Sequence, residues 1–528
     1  MSMIKPIIAG KEASSEMTAT HVGVMAQAAW HAYEQMRRMP CTQIADFLCS
    51  YADEIQKGIA EIADVTVNEV NLSRARLSDG GKEAGRTWKQ LKATGEDARR
   101  GSYALPTIAT DGSNMRSMLR GYGPFISFDP NNFPLAFNCI AGGSFANAIK
   151  ARCPVIGKAH RDLGGTTRAF ALGPMTKAVK YANMPMEMIN VMPGNSNREL
   201  THAFLRHHRI AGGMLTGSKQ AGLALGKTAA EYGKLWFAEM ESPNYTFVLP
   251  DFSKKHGKAI ASKIFGAMEL GFQFCTCTNT IFVQSGTETE LLDELTTLVK
   301  GKENPSLALG NKVLQDFEAG CSRLDQNADL VVKGTKVGEH DDEMSARVYK
   351  VNFEDWIKCP SLWEEVFGWA TLVVLYDGVE QVMNLFSRNV EGLGEEAQSA
   401  VVGSQNQLPG SLCFSIWGEE SEFDSEAMIN FMYDTEHWAG RLLMTTNPAD
   451  STGVSPGLPV NYATGHGGPF PATNNDRFTA VGHMGHMFFM RWRNFHNWND
   501  SLLPVELQAK NPLGIHRLVN GEWTTREA

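Results

Sequence analysis

Two cysteines stand one residue apart, Cys275 and Cys277, in the segment GFQFCTCTNTIFV (271–283). A thiolate is a nucleophile and a metal ligand, and paired thiols can cycle to a disulfide, so this spacing leaves several chemistries open. None of the nine cysteines forms a CxxC pair, which argues against a structural zinc site of ordinary spacing. His483 and His486 lie three apart in HMGH, without an acidic or cysteine neighbour to complete a coordination shell, and no metal is expected. Glu239 closes the apolar run KLWFAEM: it is by default a strand-end surface residue, and a carboxylate drawn out of water there would have a raised pKa and could serve as a general base. Asn132, in DPNNFPLAF, carries an amide able to donate to a developing oxyanion, although Asn before Phe-Pro is also ordinary turn chemistry.

A second group of residues suits a phosphate. In TGSKQAG (216–222) a strand gives way to a helix: Gly217 permits a tight turn and Ser218 can cap. A helix N-terminus offers free N–H groups to an anion, but a plain Ser-capped turn has the same sequence. Lys158 ends the apolar strand CPVIGK, either as a solvated strand-end lysine or on the ligand side of a sheet. No GxGxxG follows the first strand, so the usual dinucleotide fingerprint is missing.

These residues need elements to position them. Residues 18–80 carry apolar side chains at three-to-four spacing and read as helices. From about 115, short apolar strands alternate with helices: PFISFDP, then LAFNCIAGGSFANAIKAR as one small-residue helix, CPVIGKAH, MEMINVMPG, RIAGGMLTGS, KQAGLALGKTAAEYG, KLWFAEM and TFVLPD. That alternation predicts a parallel, doubly wound sheet with ligands at the carboxyl ends of its strands. A second alternation, with helices at 256–271 and 288–299 and a strand at 279–284, predicts a second α/β lobe. The Gly/Pro-rich stretch 451–476 is long enough to expect a functional loop. The 528 residues, 43% hydrophobic and 20% charged, fit about three ordinary domains or two large ones of a globular protein. A net charge of −9 without a basic cluster excludes nucleic acid as the main partner. The opening MSMIKPIIAGKEASSEM lacks a signal peptide's apolar core and no run is long enough to span a bilayer, so a cytoplasmic, non-membrane protein is expected.

Taken in order, NFPLAF, the lysine after an apolar strand, TGSKQAG, AEM, QFCT, EEVFG (364–368) and HGGPFPAT (466–473) resemble the aldehyde dehydrogenase superfamily. With RFTAVG and the tail LLPVELQAKNPLGIHRLVNG, the chain is most similar to the branch of α-ketoglutarate semialdehyde (2,5-dioxovalerate) dehydrogenases and NADP-dependent bacterial aldehyde dehydrogenases. The resemblance implies an α/β fold with a Rossmann-type cofactor domain (1–102 and 123–239), an α/β catalytic domain (240–450) and a small β oligomerisation arm (103–122 and 480–528). It implies a homodimer or homotetramer. Family cysteines stand seven and eight residues before the hydrophobic pair of the next strand, as Cys275 does before Phe282 and Val283, which makes Cys275 the nucleophile and Cys277 a neighbour.

In the family the thiolate attacks the aldehyde, hydride passes to a nicotinamide, and water cleaves the thioester. The resemblance thus assigns the oxyanion to Asn132 and the Cys275 amide, and the water to Glu239. Lys158, Gly217, Ser218 and Gly222 fall to the cofactor's adenosine and phosphates, and Glu365 and Phe367 to its nicotinamide end. Arg161 stands where many NAD enzymes place Glu; a cation there would attract a 2′-phosphate, so NADP is expected over NAD. Several positions depart from the pattern: Glu241 and Phe272 replace common glycines, Trp369 replaces a proline, and the N-terminal hairpin segment looks absent. A second carboxylate at 241 is expected to raise the pKa of the nucleophile if it approaches. The implied reaction is oxidation of α-ketoglutarate semialdehyde. The alternatives are a medium- or long-chain aliphatic aldehyde, a cysteine hydrolase without hydride transfer, and a catalytically impaired member with a structural or regulatory role.

Overall fold

The computed structural model describes residues 4–78, 82–128, 130–269, 273–387, 408–449 and 464–528. Phe272 and positions 451–463 of the Gly/Pro-rich stretch lie outside these residues. The chain divides into two compact units, 1–238 with 460–465 and 478–528, and 239–459 with 466–477.

In the first unit a seven-stranded sheet runs in the order Lys11–Glu12, Ile7–Ile8, Asn190–Met192, Val155–Lys158, Phe125–Phe128, Gly212–Thr216, Leu235–Glu239. The four strands at its centre are parallel, as the alternation predicted. The long helix Cys41–Val67 buries Ile44, Leu48, Tyr51, Ile55, Ile59 and Ile62, a stripe at helical spacing that drives it against the core. The N-terminal hairpin is present, contrary to expectation: Ile7 pairs with Glu12 and Ile8 with Lys11. Ala9 and Gly10 turn it with positive φ, and Ile7 also pairs with Val191 on the sheet.

The single helix expected over LAFNCIAGGSFANAIKAR is also not found; only Gly143–Lys150 is helical. Glu83, 2% exposed, accepts the Leu135 and Ala136 amides at 2.9 and 3.4 Å, and the Asn138 side chain donates to Pro134 and Thr167. These side chains hold 133–142 in tight turns, which apolar periodicity cannot reveal. A separate five-stranded sheet in this unit joins Met490–His496, Met115–Gly121, Thr107–Ala109, Arg517–Val519 and Glu522–Thr524. Behind it Arg152 pairs with buried Glu506 and donates to the Met39 carbonyl at 2.9 Å. Unpaired, either ion would cost far more than the pair stabilises.

The second unit holds another seven-stranded sheet: Asp329–Lys333, Arg347–Asn352, Ala370–Tyr376, Thr280–Gln284, Tyr245–Val248, Ser411–Trp417, Ala439–Thr445. All its pairs are parallel except the first, which is antiparallel. ATLVVLY and SLCFSIW are buried along their whole length, as strands covered on both faces require. Trp369 belongs to this core, 2% exposed, with Lys302 over its ring.

Candidate active site

The thiol, the carboxylate and a histidine meet in the second unit. Glu239 ends its strand, and the segment around HGGPFPAT lies antiparallel to it through a bridge to Thr473, with the Met240 amide on the Ala472 carbonyl at 2.8 Å. That pairing brings in His466, whose Nε2 is 2.7 Å from Glu239 Oε1 and 3.4 Å from Cys275 Sγ. Two glycines let the segment approach so closely. A Cβ on Gly468 would sit 2.0 Å from the Ser411 carbonyl oxygen, and one on Gly440 would sit 2.0 Å from that of Gly467.

Cys275 is half-buried beside Leu412, Cys413 and Ala472, whereas Cys277 is 1% exposed and packs in the main core. One side chain fixes both. Asn244 Nδ2 donates to the Cys275 and Cys277 carbonyls, each at 2.9 Å, while its Oδ1 accepts the Cys413 amide at 3.1 Å and the Ser242 hydroxyl at 2.7 Å. Ser242 Oγ in turn accepts the Leu412 amide at 2.8 Å. The backbone at Asn244 has φ +43°, a strained value sustained by this network.

The electrostatics of the trio follow from its burial. Burial pushes the Glu239 carboxyl up, but the His466 charge and hydrogen bond, then Cys275 and Arg441, outweigh it and leave the carboxyl below its ordinary value. A raised value was expected from the sequence; the histidine reverses the sign. Burial first, then the charge of Glu239 and its hydrogen bond, hold the Cys275 thiol well above its ordinary value. Glu241 acts elsewhere: burial, reinforced by the charges of Glu241 and Glu239 and opposed by the Ser242 amide, holds Glu365 well above the carboxylate range. The trio can pass a proton from sulfur to a buried, ionised carboxylate. Its three donor atoms lie within 4.8 Å of one another, so the same set could also hold a thiophilic cation.

The remaining residues divide between the two units. Glu365 is half-buried and accepts the Ser242 amide at 2.9 Å; Phe367 is half-buried two residues on. In the first unit, Lys158 lies at the carboxyl end of its strand, with Nζ 3.1 Å from the Gly194 carbonyl. Ser218 caps helix Lys219–Glu231 by accepting the Ala221 amide at 3.3 Å. Gly222 lies inside that helix, its carbonyl accepting the Trp236 indole N–H, so 217–222 is a capped helix start and not a glycine loop. The Arg161 side chain is 63% exposed, with Nε 3.6 Å from Asp162 Oδ1. Asn132 is buried, and its carbonyl accepts from Arg76. His486 is structural: its Nδ1 is 2.6 Å from the His483 carbonyl and 3.1 Å from Lys150 Nζ, and burial followed by Lys150 lowers it to about 4.

His466 and Asn244 were missed as functional residues. A histidine followed by two glycines, outside any periodic element, was the available signal for the first; the polar ESPN directly after AEM was the signal for the second.

A model of the family described as "Aldehyde dehydrogenase family" matches residues 11–394. An α-ketoglutaric semialdehyde dehydrogenase of Azospirillum brasilense is 29% identical over 504 residues, 93% of this chain and 89% of its own. One of Acinetobacter baylyi is 28% identical over 527 residues, 97% and 93% of the two chains. Among solved structures, an aldehyde dehydrogenase of Bacillus cereus in complex with NAD+ superposes with a TM-score of 0.74 at 17% identity, covering 94% of this chain and 96% of that one. Aldehyde dehydrogenase C of Pseudomonas syringae, complexed with NAD+ and octanal, gives 0.73 at 16% identity over 94% and 93%. At such identities the likeness is one of fold.

Proposed function

Because the chain belongs to the aldehyde dehydrogenase family, and is therefore an oxidoreductase acting on aldehydes, we propose that it oxidises α-ketoglutarate semialdehyde to the dicarboxylic acid, with NADP preferred over NAD. The observation that carries the chemistry is the Cys275–Glu239–His466 trio. The substrate rests on the names of the two curated relatives.

The donor set of the first unit fits a dinucleotide. Parallel strands deliver Lys158 and the Ser218-capped helix start to the carboxyl edge of one sheet, where phosphates bind. Lys158, Gly217, Ser218 and the first turn toward Gly222 would hold the adenosine and phosphate portions, and Arg161 a 2′-phosphate. Glu365 and Phe367 would take the nicotinamide end. When bound, this cofactor supplies the hydride acceptor.

The protein's own groups do the rest. His466 donates from Nε2 to Glu239 and keeps that carboxyl ionised in a buried position. Glu239 accepts the Cys275 proton as sulfur attacks the aldehyde carbon, forming a C–S bond and an alkoxide. The Asn132 amide and the Cys275 backbone N–H are assigned to that oxygen. After oxidation the substrate is a thioester on Cys275. Glu239, having released the thiol proton to solvent, then takes a proton from water as the water oxygen adds to the thioester carbon; the C–S bond breaks, the acid leaves, and the departing Cys275 thiolate recovers its proton from Glu239.

The test is nicotinamide reduction across a panel of aldehydes with each cofactor. The kcat/KM for α-ketoglutarate semialdehyde is expected to exceed that for pentanal or octanal by about tenfold or more, the discrimination one well-placed polar contact supplies. NADP is expected to exceed NAD in the same assay. A preference for aliphatic aldehydes would overturn the substrate, and comparable use of both cofactors would overturn the NADP assignment.

The reading extends to a cytoplasmic homodimer or homotetramer. Trp492 on the edge strand Met490–His496, Trp498 just past the end of that strand, and Trp523 on the opposite edge strand Glu522–Thr524 are each half exposed. Large exposed rings on a sheet edge suit a covering subunit. Among the described residues no helix is long and apolar enough to cross a membrane. Light scattering should give two or four times the mass of the 58.0 kDa chain; a monomer would sink the oligomer.

A further inference from the structure

The three groups that handle the proton also make a set of metal ligands. We propose that Cys275, Glu239 and His466 bind a thiophilic divalent cation, zinc above all, in an open site whose occupation reversibly shuts off the enzyme. The binding stands on the geometry of the trio; the shut-off rests on the assigned role of Cys275 as nucleophile.

All three residues belong to the second unit, so one compact body holds the whole set. Their donor atoms lie within 4.8 Å of one another. Cys275 Sγ and His466 Nε2 are 3.4 Å apart, close to the separation of about 3.5 Å that a tetrahedral zinc imposes on a sulfur and a nitrogen ligand. Glu239 Oε1 and His466 Nε2, at 2.7 Å, would part by about 0.6 Å to admit the ion. The carboxylate has a further atom to offer. Glu239 is 1% exposed, and its Oε2 is buried with no hydrogen-bond partner among the described residues. A buried carboxylate oxygen left without a donor is costly, and a cation satisfies it.

Charge balance favours the same occupant. On binding, the Cys275 thiol proton leaves to solvent, and the His466 proton moves from Nε2 to Nδ1, turning the Nε2 lone pair to the ion. A thiolate, a carboxylate and a neutral imidazole then cancel the double charge of the cation, which suits a buried place. Half-buried Cys275 leaves the fourth position to water. Sulfur and imidazole select zinc, cobalt or cadmium, while magnesium and calcium prefer all-oxygen sites. Arg441, whose charge also reaches Glu239 and Cys275, opposes a cation, so the affinity is expected to be micromolar, weaker than that of structural zinc sites. With its sulfur bound, Cys275 cannot attack a carbonyl.

The test titrates the purified enzyme with cobalt(II), whose thiolate charge-transfer band reports a Co–S bond without substrate or turnover. One ion per chain should bind with that band, and zinc should displace it. Zinc should abolish nicotinamide reduction over the same concentrations, EDTA should restore it, and magnesium should do neither. Cys275→Ala should lose the band, and His466→Gln should weaken cobalt binding by about tenfold or more, the loss of one ligand of three. Cys277→Ala should keep the band and the inhibition; matching circular dichroism guards against a variant that fails to fold. No thiolate band in the parent, or a band that survives Cys275→Ala, would overturn the site. A band lost with Cys275 while zinc leaves turnover intact would keep the site and overturn the shut-off, along with the nucleophile's role.

Discussion

Cys275→Ala is expected to lower kcat for aldehyde oxidation by on the order of 10⁵, because its sulfur lies 3.4 Å from His466 and is hydrogen-bonded to buried Glu239. Cys277→Ala should retain turnover within about threefold, since its side chain is small and its deletion is a modest core change. The contrast comes from the structure. Asn244 holds the carbonyls of both cysteines with one amide, yet their sulfurs part ways: Cys275 faces His466 and Glu239, while Cys277 packs in the main core. Steady-state kinetics with mass-spectrometric mapping of iodoacetamide labelling reads the assignment directly. Full activity in the Cys275 variant, or its loss in the Cys277 variant, would reverse it.

Glu239→Gln should separate two quantities that ordinarily fall together. Turnover is expected to drop by about 10²–10³, the usual contribution of a positioned general base. Iodoacetamide should label Cys275 faster at neutral pH than in the parent enzyme, because the anion that helps hold the thiol up has gone. The sign is fixed by the direction of each shift. A raised thiol pKa keeps sulfur protonated at neutral pH, so labelling of the parent should climb with pH through the alkaline range. A lowered carboxyl pKa keeps Glu239 ionised across neutral pH, with its function as a base lost only as pH falls below the ordinary carboxylate range. Slower labelling in the variant, or unchanged turnover, would remove Glu239 from this role.

Much of the scaffold could be read from residue patterns, because a parallel sheet buried on both faces leaves uninterrupted apolar runs such as ATLVVLY. The choice of Cys275 over Cys277 came from the family resemblance, through its spacing to Phe282 and Val283. His466 was not legible. It reaches Glu239 across 227 residues of chain, through a bridge that only the folded backbone creates. The sign of the Glu239 shift was hidden for the same reason. The broken helix after Phe133 depends on Glu83, whose carboxylate is spent on distant amides, and the N-terminal hairpin depends on two left-handed residues in an unfamiliar sequence. In each case local periodicity was outweighed by polar contacts between segments far apart in the chain.

The close approach at Gly440 and Gly468 bears on how such an enzyme can change over time. His466 is located by main chain lying on main chain, so its placement does not depend on which side chains surround it. Neighbouring positions on the same strand, such as Leu442 and Met444, are exposed and make no comparable demand. Mutational tolerance is therefore divided sharply along a few residues: two where any side chain would lever the histidine from its carboxylate, and adjacent ones open to drift. Specificity can evolve in the second set while the proton-handling geometry is inherited unchanged.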